Sequence, residues 1–244
     1  MDQLFISVIL FFTIFVSSFC GTVLGFGSAV IAISMGAQLV SLDRLVPIIV
    51  ILSFIQFSKI SYQNYQSVSW KIILKSILPK MGLGLAVGFY LKASFKVDFL
   101  LIVLGVGVIF FALSNLFFKK NMEKSPNKLV NFVLTFTGGI FHGLFAAGGP
   151  LIVNYVGNLT SDKETFRATL AMVWVVLNLI LLLQFSIGGV IDKQMGMSIF
   201  YLLPAIWLGG FAGEKLLPKI NPSWFFKFVH STLLIIGVSL LFKV

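Results

Sequence analysis

Long apolar runs separated by short polar interruptions dominate the chain. They lie at about 4–24, 28–40, 45–62, 72–91, 97–118, 129–147, 151–159, 167–187, 195–214 and 223–242. Most approach the ~20 residues that an α-helix needs to cross a bilayer. The pattern predicts an all-α integral membrane protein. Two runs, 28–40 and 151–159, are too short: at ~1.5 Å per residue they reach roughly 20 and 13 Å, so each is expected to begin inside the membrane. Each follows a small-residue break, Gly25-Phe26-Gly27-Ser28 and Gly148-Gly149-Pro150.

The breaks also mark an internal repeat. A shift of 122 places Gly21 on Gly143, Gly27 on Gly149 and Gln56 on Asn178; a shift of 125 places Pro79 on Pro204, Gly84 on Gly209 and Gly88 on Gly213. The matches keep their order, as a duplication requires. The expected organisation is a first membrane repeat over 1–118, a polar linker over 119–128 and a second repeat over 129–244. Each repeat holds a broken or hairpin helix with a short second arm, followed by three transmembrane helices.

Composition agrees, with 58% hydrophobic and 11% charged residues, against about a quarter charged in soluble domains. The formal charge of +10 does not point to nucleic acid, because the bases sit in short loops where they set topology and meet lipid headgroups. The start of the chain lacks a positive n-region and reads as a retained membrane segment. Cys20 reads as packing, Tyr62, Trp70 and Trp224 as interface anchors. No Cys/His cluster has metal spacing, so neither metal nor cofactor is expected.

Loop charges discriminate two topologies. If each break is a straight interruption, the bases divide nine against eight. If each is a hairpin, Lys59, Lys71, Lys75, Lys119, Lys120, Lys124, Lys128, Lys163, Arg167, Lys215, Lys219 and Lys227 fall on one side and Arg44, Lys92, Lys96, Lys193 and Lys243 on the other, twelve against five. Lys80, inside an apolar run, is left out of both counts. The positive-inside rule favours hairpins. It puts the linker in the cytoplasm and both termini outside, and makes the second half an inverted copy of the first.

In hydrocarbon a helix break survives only where it is buried in protein or lines a watery cavity. A short helix starting there presents unpaired N–H groups and the positive end of its dipole, an anion site in the making. Pro150 suits a first helical position, and Ser28 could cap its helix or offer a hydroxyl to a ligand. The candidate substrate-binding residues are Gly25, Phe26, Gly27, Ser28, Gln56, His142, Gly148, Gly149, Pro150, Asn154 and Asn178, with Gln38 weaker. No Lys or Arg is expected at either break. The alternative is that the glycines only permit tight helix packing. His142 could bind the anion or carry a proton. All eight acids fall at or near loops or helix ends, so no carboxylate relay is expected.

Gly21-Thr22-Val23-Leu24-Gly25-Phe26-Gly27-Ser28, its partner Gly143-Leu144-Phe145-Ala146-Ala147-Gly148-Gly149-Pro150 and the duplicated layout resemble the sulfite exporter TauE/SafE family. The resemblance covers nearly the whole chain. It implies a multi-pass plasma-membrane carrier of small anions such as sulfite, sulfonates or related organic anions, with no covalent chemistry. The chain departs from a fuller glycine run at Phe26 and Ala147. Expected partners are the anion and membrane lipid, with a homo-oligomer possible and no nucleic acid. The alternatives are a passive anion channel and, from another class, an intramembrane enzyme or assembly factor, whose acid/base pair or metal cluster the sequence does not show.

Overall fold

The computed structural model describes residues 3–37, 39–94, 128–160 and 162–219, with scattered residues between 99 and 113 and between 231 and 241. Gln38, most of the linker, most of the runs 97–118 and 223–242 with Trp224, and the Asn154 side chain lie outside the described residues. Among those described, every regular element is helical. They are α1 (Gln3–Leu24), α2 (Ser28–Gly36), α3 (Leu42–Gln63), α4 (Leu78–Ser94), α5 (Lys128–Phe145), α6 (Gly149–Gly157), α7 (Lys163–Ile187) and α8 (Lys193–Leu216). A helical turn, Trp70–Ile72, and a π turn, Ile73–Ile77, run straight into α4. Six of the helices are long and apolar enough to cross a membrane, and the protein is a multi-pass membrane protein.

The starts of α7 and α8 use side-chain caps, whereas Ser41 before α3 makes none. Asp162 Oδ1 accepts from the Thr165 N–H at 2.8 Å and Asp192 Oδ1 from the Met195 N–H at 2.7 Å, satisfying donors that a helix start leaves open. The start of α2 has none. Its cap is Gly27, left-handed at φ 85°, and no side chain bonds there. Ser28 is therefore the first helical residue and not a cap, and Pro150 is the second residue of α6, behind Gly149.

Both short helices fold back. The end of α2 lies against the middle of α1, where Gly36 approaches the Leu10 side chain; a straight continuation would carry Gly36 away from it. Likewise Leu151 and Ile152 of α6 lie against Gly138 of α5. The element bounds recur at an offset of 121: α1 and α5 end at 24 and 145, α2 and α6 span 28–36 and 149–157, and α3 and α7 start at 42 and 163. Left-handed Gly25 (φ 78°) falls on left-handed Ala146 (φ 55°). The offset of 122 read from glycine matches is thus one residue out at the breaks.

Glycine contacts fix the helix directions. Gly84 and Gly88 of α4 face Phe136, Gly139, Ile140 and Gly143 of α5 in ascending order, so these helices are parallel. Gly209 and Gly213 of α8 meet Phe15, Phe19 and Thr22 of α1 in the same way. Ser69, just past α3, donates its N–H to Thr169 Oγ1 in the first turns of α7 at 3.1 Å, which makes α3 and α7 antiparallel. Arg44 Nη1 donates to Gln194 Oε1 at 2.7 Å and Lys59 pairs with Glu214, so α3 and α8 are parallel. The short connection 64–69 turns the chain from the end of α3 back into α4, so α1, α3 and α8 run one way and α4, α5 and α7 the other. Gly84, Gly88, Gly209 and Gly213 do the packing work that small residues do in membrane interiors.

The contrast between neighbouring glycines gives a test. A Cβ on Gly139 would overlap the Met81 backbone, whereas one on Gly82 meets nothing within 4 Å. Gly139→Val should lower stability by about 3 kcal/mol through overpacking, and Gly82→Ala should leave it unchanged or raise it by about 0.5 kcal/mol. Thermal unfolding in detergent measures both.

Candidate functional site

The two hairpin tips touch. A Cβ built on Gly149 would lie 3.3 Å from the Phe26 side chain and 3.6 Å from the Gly27 nitrogen. Beside this contact is a cleft with about 270 Å³ of empty space, counted to its open rim. Gly27, Ser28, Ala29 and Val30 form one wall, at the start of α2; Ala146, Ala147 and Gly149 form another, at the start of α6. The first N–H groups of a helix have no acceptor within it. Two such starts, each with the positive end of a peptide dipole array, thus converge on one cavity.

The remaining wall is polar in a way the sequence only partly foretold. His142 of α5 and Asn178 of α7 line it, together with Ser53 and Phe57 of α3 and Trp174 of α7. The His142 ring stacks on Trp174, centroids 5.4 Å apart and planes 21° apart. His142 is 1% exposed and Asn178 2%. Asn178 approaches the ring, yet neither ring nitrogen nor Asn178 Oδ1 closes a hydrogen bond of good geometry. Buried polar groups left open call for a reason, and here they face the cavity both helix starts face.

The carbonyl side of the first break is tied down by α7. Trp174 Nε1 donates to the Gly25 carbonyl at 2.9 Å, and Arg167 Nε donates to the Thr22 carbonyl at 2.6 Å. Those carbonyls belong to the group a helix end cannot satisfy itself. Arg167 is 8% exposed and packs against Gly25. The expectation that no Lys or Arg stands at a break is therefore wrong. It counted Arg167 as a loop charge; without it the loop bases divide eleven against five. The signal was present, because Arg167, Trp174 and Asn178 follow a spacing that puts all three on one helix face.

Among the predicted residues, Gly27, Ser28, His142, Gly149 and Asn178 come together around the cleft. Gly25 and Phe26 form the tip behind it. Gly148 packs against the Gly138 carbonyl, the packing role that was the alternative for the glycines, and Pro150 does not line the cleft. Gln56 stands one layer away: its Nε2 donates to the Ser18 carbonyl at 2.7 Å and to Thr22 Oγ1 at 2.8 Å, joining α3 to α1. Gly149 is held to glycine by the Phe26 side chain against it and not by its backbone angles, since its φ is not positive.

A profile of the family described as sulfite exporter TauE/SafE matches residues 10–240. The chain belongs to that family. Two curated relatives are similar over most of their length. One, named "Probable sulfite/organosulfonate exporter TauE", from Cupriavidus necator, is 20% identical over 220 residues, 89% of this chain and 86% of the relative. The other, "Probable inner membrane transporter protein TsaS" from Comamonas testosteroni, is 23% identical over 178 residues, 72% of this chain and 74% of the relative. No solved structure matches. As a TauE/SafE family member the chain is a membrane transporter.

Trp174→Phe keeps the aromatic stack but deletes the donor to Gly25. It should cost about 1–2 kcal/mol, the scale of a buried acceptor left open, read as a lowered melting temperature in detergent.

Proposed function

We propose that this TauE/SafE protein carries a small oxyanion, of the sulfite or sulfonate type, through the cleft between the hairpin tips. The observation that carries the proposal is the convergence of two helix starts on a cavity lined by the open polar atoms of His142 and Asn178. The N–H groups of Ser28, Ala29 and Val30 would hold the anion's oxygens, helped by the dipole of α6 and by a ring nitrogen of His142 acting as donor. Arg167, turned to the carbonyl side of the break, does not line the cleft, so the anion meets dipoles and neutral donors there and is bound without being trapped, as a carrier requires. The family relatives whose names mention sulfite, organosulfonate and transport support the substrate class.

The same proposal takes 1–118 and 129–244 as inverted copies joined by a cytoplasmic linker, with both termini outside. What supports it is that α1 and α5, the first helices of the two halves, run in opposite directions, while α1 packs on α8 and α4 on α5. The loop charges give the orientation by the positive-inside rule. Transport then needs only the anion gradient and the membrane potential, or a proton carried by His142.

Two tests are separate. Gly27→Val places a branched side chain at φ 85°, where only glycine sits without strain, beside the anion, and should abolish sulfite flux into proteoliposomes while the protein remains folded. Ser28→Ala should weaken binding by about 1 kcal/mol. Wild-type rate and affinity in both variants would refute the site. For topology, a reporter active only in the periplasm, fused after Val244, should be active; activity of a cytoplasmic reporter there would remove the inverted arrangement.

A further inference from the structure

A second cleft opens at the end of the bundle where α3 and α8 finish, with about 290 Å³ of empty space counted to its rim. Its polar lining is Thr22, Gln56, Lys59 and Glu214, beside Trp207 and Gly210. Lys59 Nζ lies 3.2 Å from Glu214 Oε1 and 5.0 Å from the centre of the Trp207 ring. Both charged side chains are about a third exposed, 30% and 29%. A pair so placed adds little to stability, and its carboxylate is chemically a close stand-in for another oxyanion on the same ammonium. Arg167, which grips the Thr22 carbonyl on this wall, keeps Nη2 without a partner.

Only a thin partition separates the two clefts. Gln56 donates to Thr22 Oγ1 on the outer side, and a Cβ built on Gly21 would lie 3.2 Å from both Gln56 Nε2 and Ser28 Oγ. Ser28 lines the central cleft. Ammonium, amide and hydroxyl thus follow one another inward. At the other end of the bundle the offsets of 121 and 125 place Ile180 and Phe89 where Lys59 and Glu214 stand. The charges are therefore not a demand of the fold, since its other half does without them.

We propose that the outer cleft is a second anion-binding site, in which Lys59 is the cation for a small oxyanion and Glu214 the internal carboxylate that such an anion displaces. It rests on the oxyanion reading of the central cleft but uses different residues. Trp207 reports on it. Sulfite titrated into the detergent-purified full chain, followed by tryptophan fluorescence with Trp207→Phe to assign the signal, should give a saturable Trp207 response that persists in Gly27→Val. Lys59→Met should raise the half-saturating sulfite concentration about tenfold, the loss of one charge-assisted contact. Glu214→Gln, which keeps the ammonium and removes its competitor, should lower it. A Trp207 response absent from the wild type, unchanged in Lys59→Met or weakened in Glu214→Gln would overturn the proposal. Loss of the response in Gly27→Val would overturn it too, by assigning the signal to the central cleft, whereas failure of the central site leaves the Trp207 response intact.

Discussion

Backbone polar groups cannot be left open in hydrocarbon, where each costs several kcal/mol. α1 and α5 nonetheless stop in the buried interior of the bundle, and the way each stop is satisfied organises the rest. At the first break the carbonyls are answered by α7, through Trp174 to Gly25 and Arg167 to Thr22. At the second, Ala146 donates to His142 and Ala147 to Phe141, closing the end of α5 on itself. The N–H ends of α2 and α6 are not answered in this manner and border a cavity instead. The acceptor ends are tied and the donor ends face the cleft, which is the polarity an anion carrier requires.

Holding two hairpin tips in contact needs close-packed helices on both sides, and glycine supplies them. Gly84 and Gly88 let α4 sit on α5, and Gly209 and Gly213 let α8 sit on α1. α1 is thereby gripped by α8, and α5 by α4. The tip of each hairpin is then presented to its counterpart, with Phe26 against Gly149. Such a cross-gripped arrangement suits a carrier in which one half rocks against the other around a fixed site.

Much of this was legible along the chain. The apolar runs anticipated the described helices to within a few residues, because a bilayer imposes a length that hydropathy reveals directly. The shortness of 28–40 and 151–159 located both breaks, and the loop charges chose the hairpin over the straight helix, as Gly36 beside Leu10 shows. What sequence alone concealed was tertiary. Arg167 looks like a loop base at the very start of the apolar run 167–187, and only the fold turns it under Gly25. Trp174 carries no motif, since its role depends on the carbonyl it reaches. Ser28 resembles a cap, but a left-handed Gly27 already fills that position. Gly148 and Gly149 look alike, yet one packs on Gly138 and the other faces the cleft.

Selenite, a heavier oxyanion of the same charge and shape class as sulfite, allows the ligand to be located instead of inferred. Crystals of the protein soaked in selenite and measured at the selenium edge should show an anomalous peak in the cleft between Gly27–Val30 and Gly149, within hydrogen-bonding reach of an α2 N–H and of His142. Selenite that competes with sulfite for transport yet leaves that cleft without a peak would contradict an anion site made by two converging helix starts.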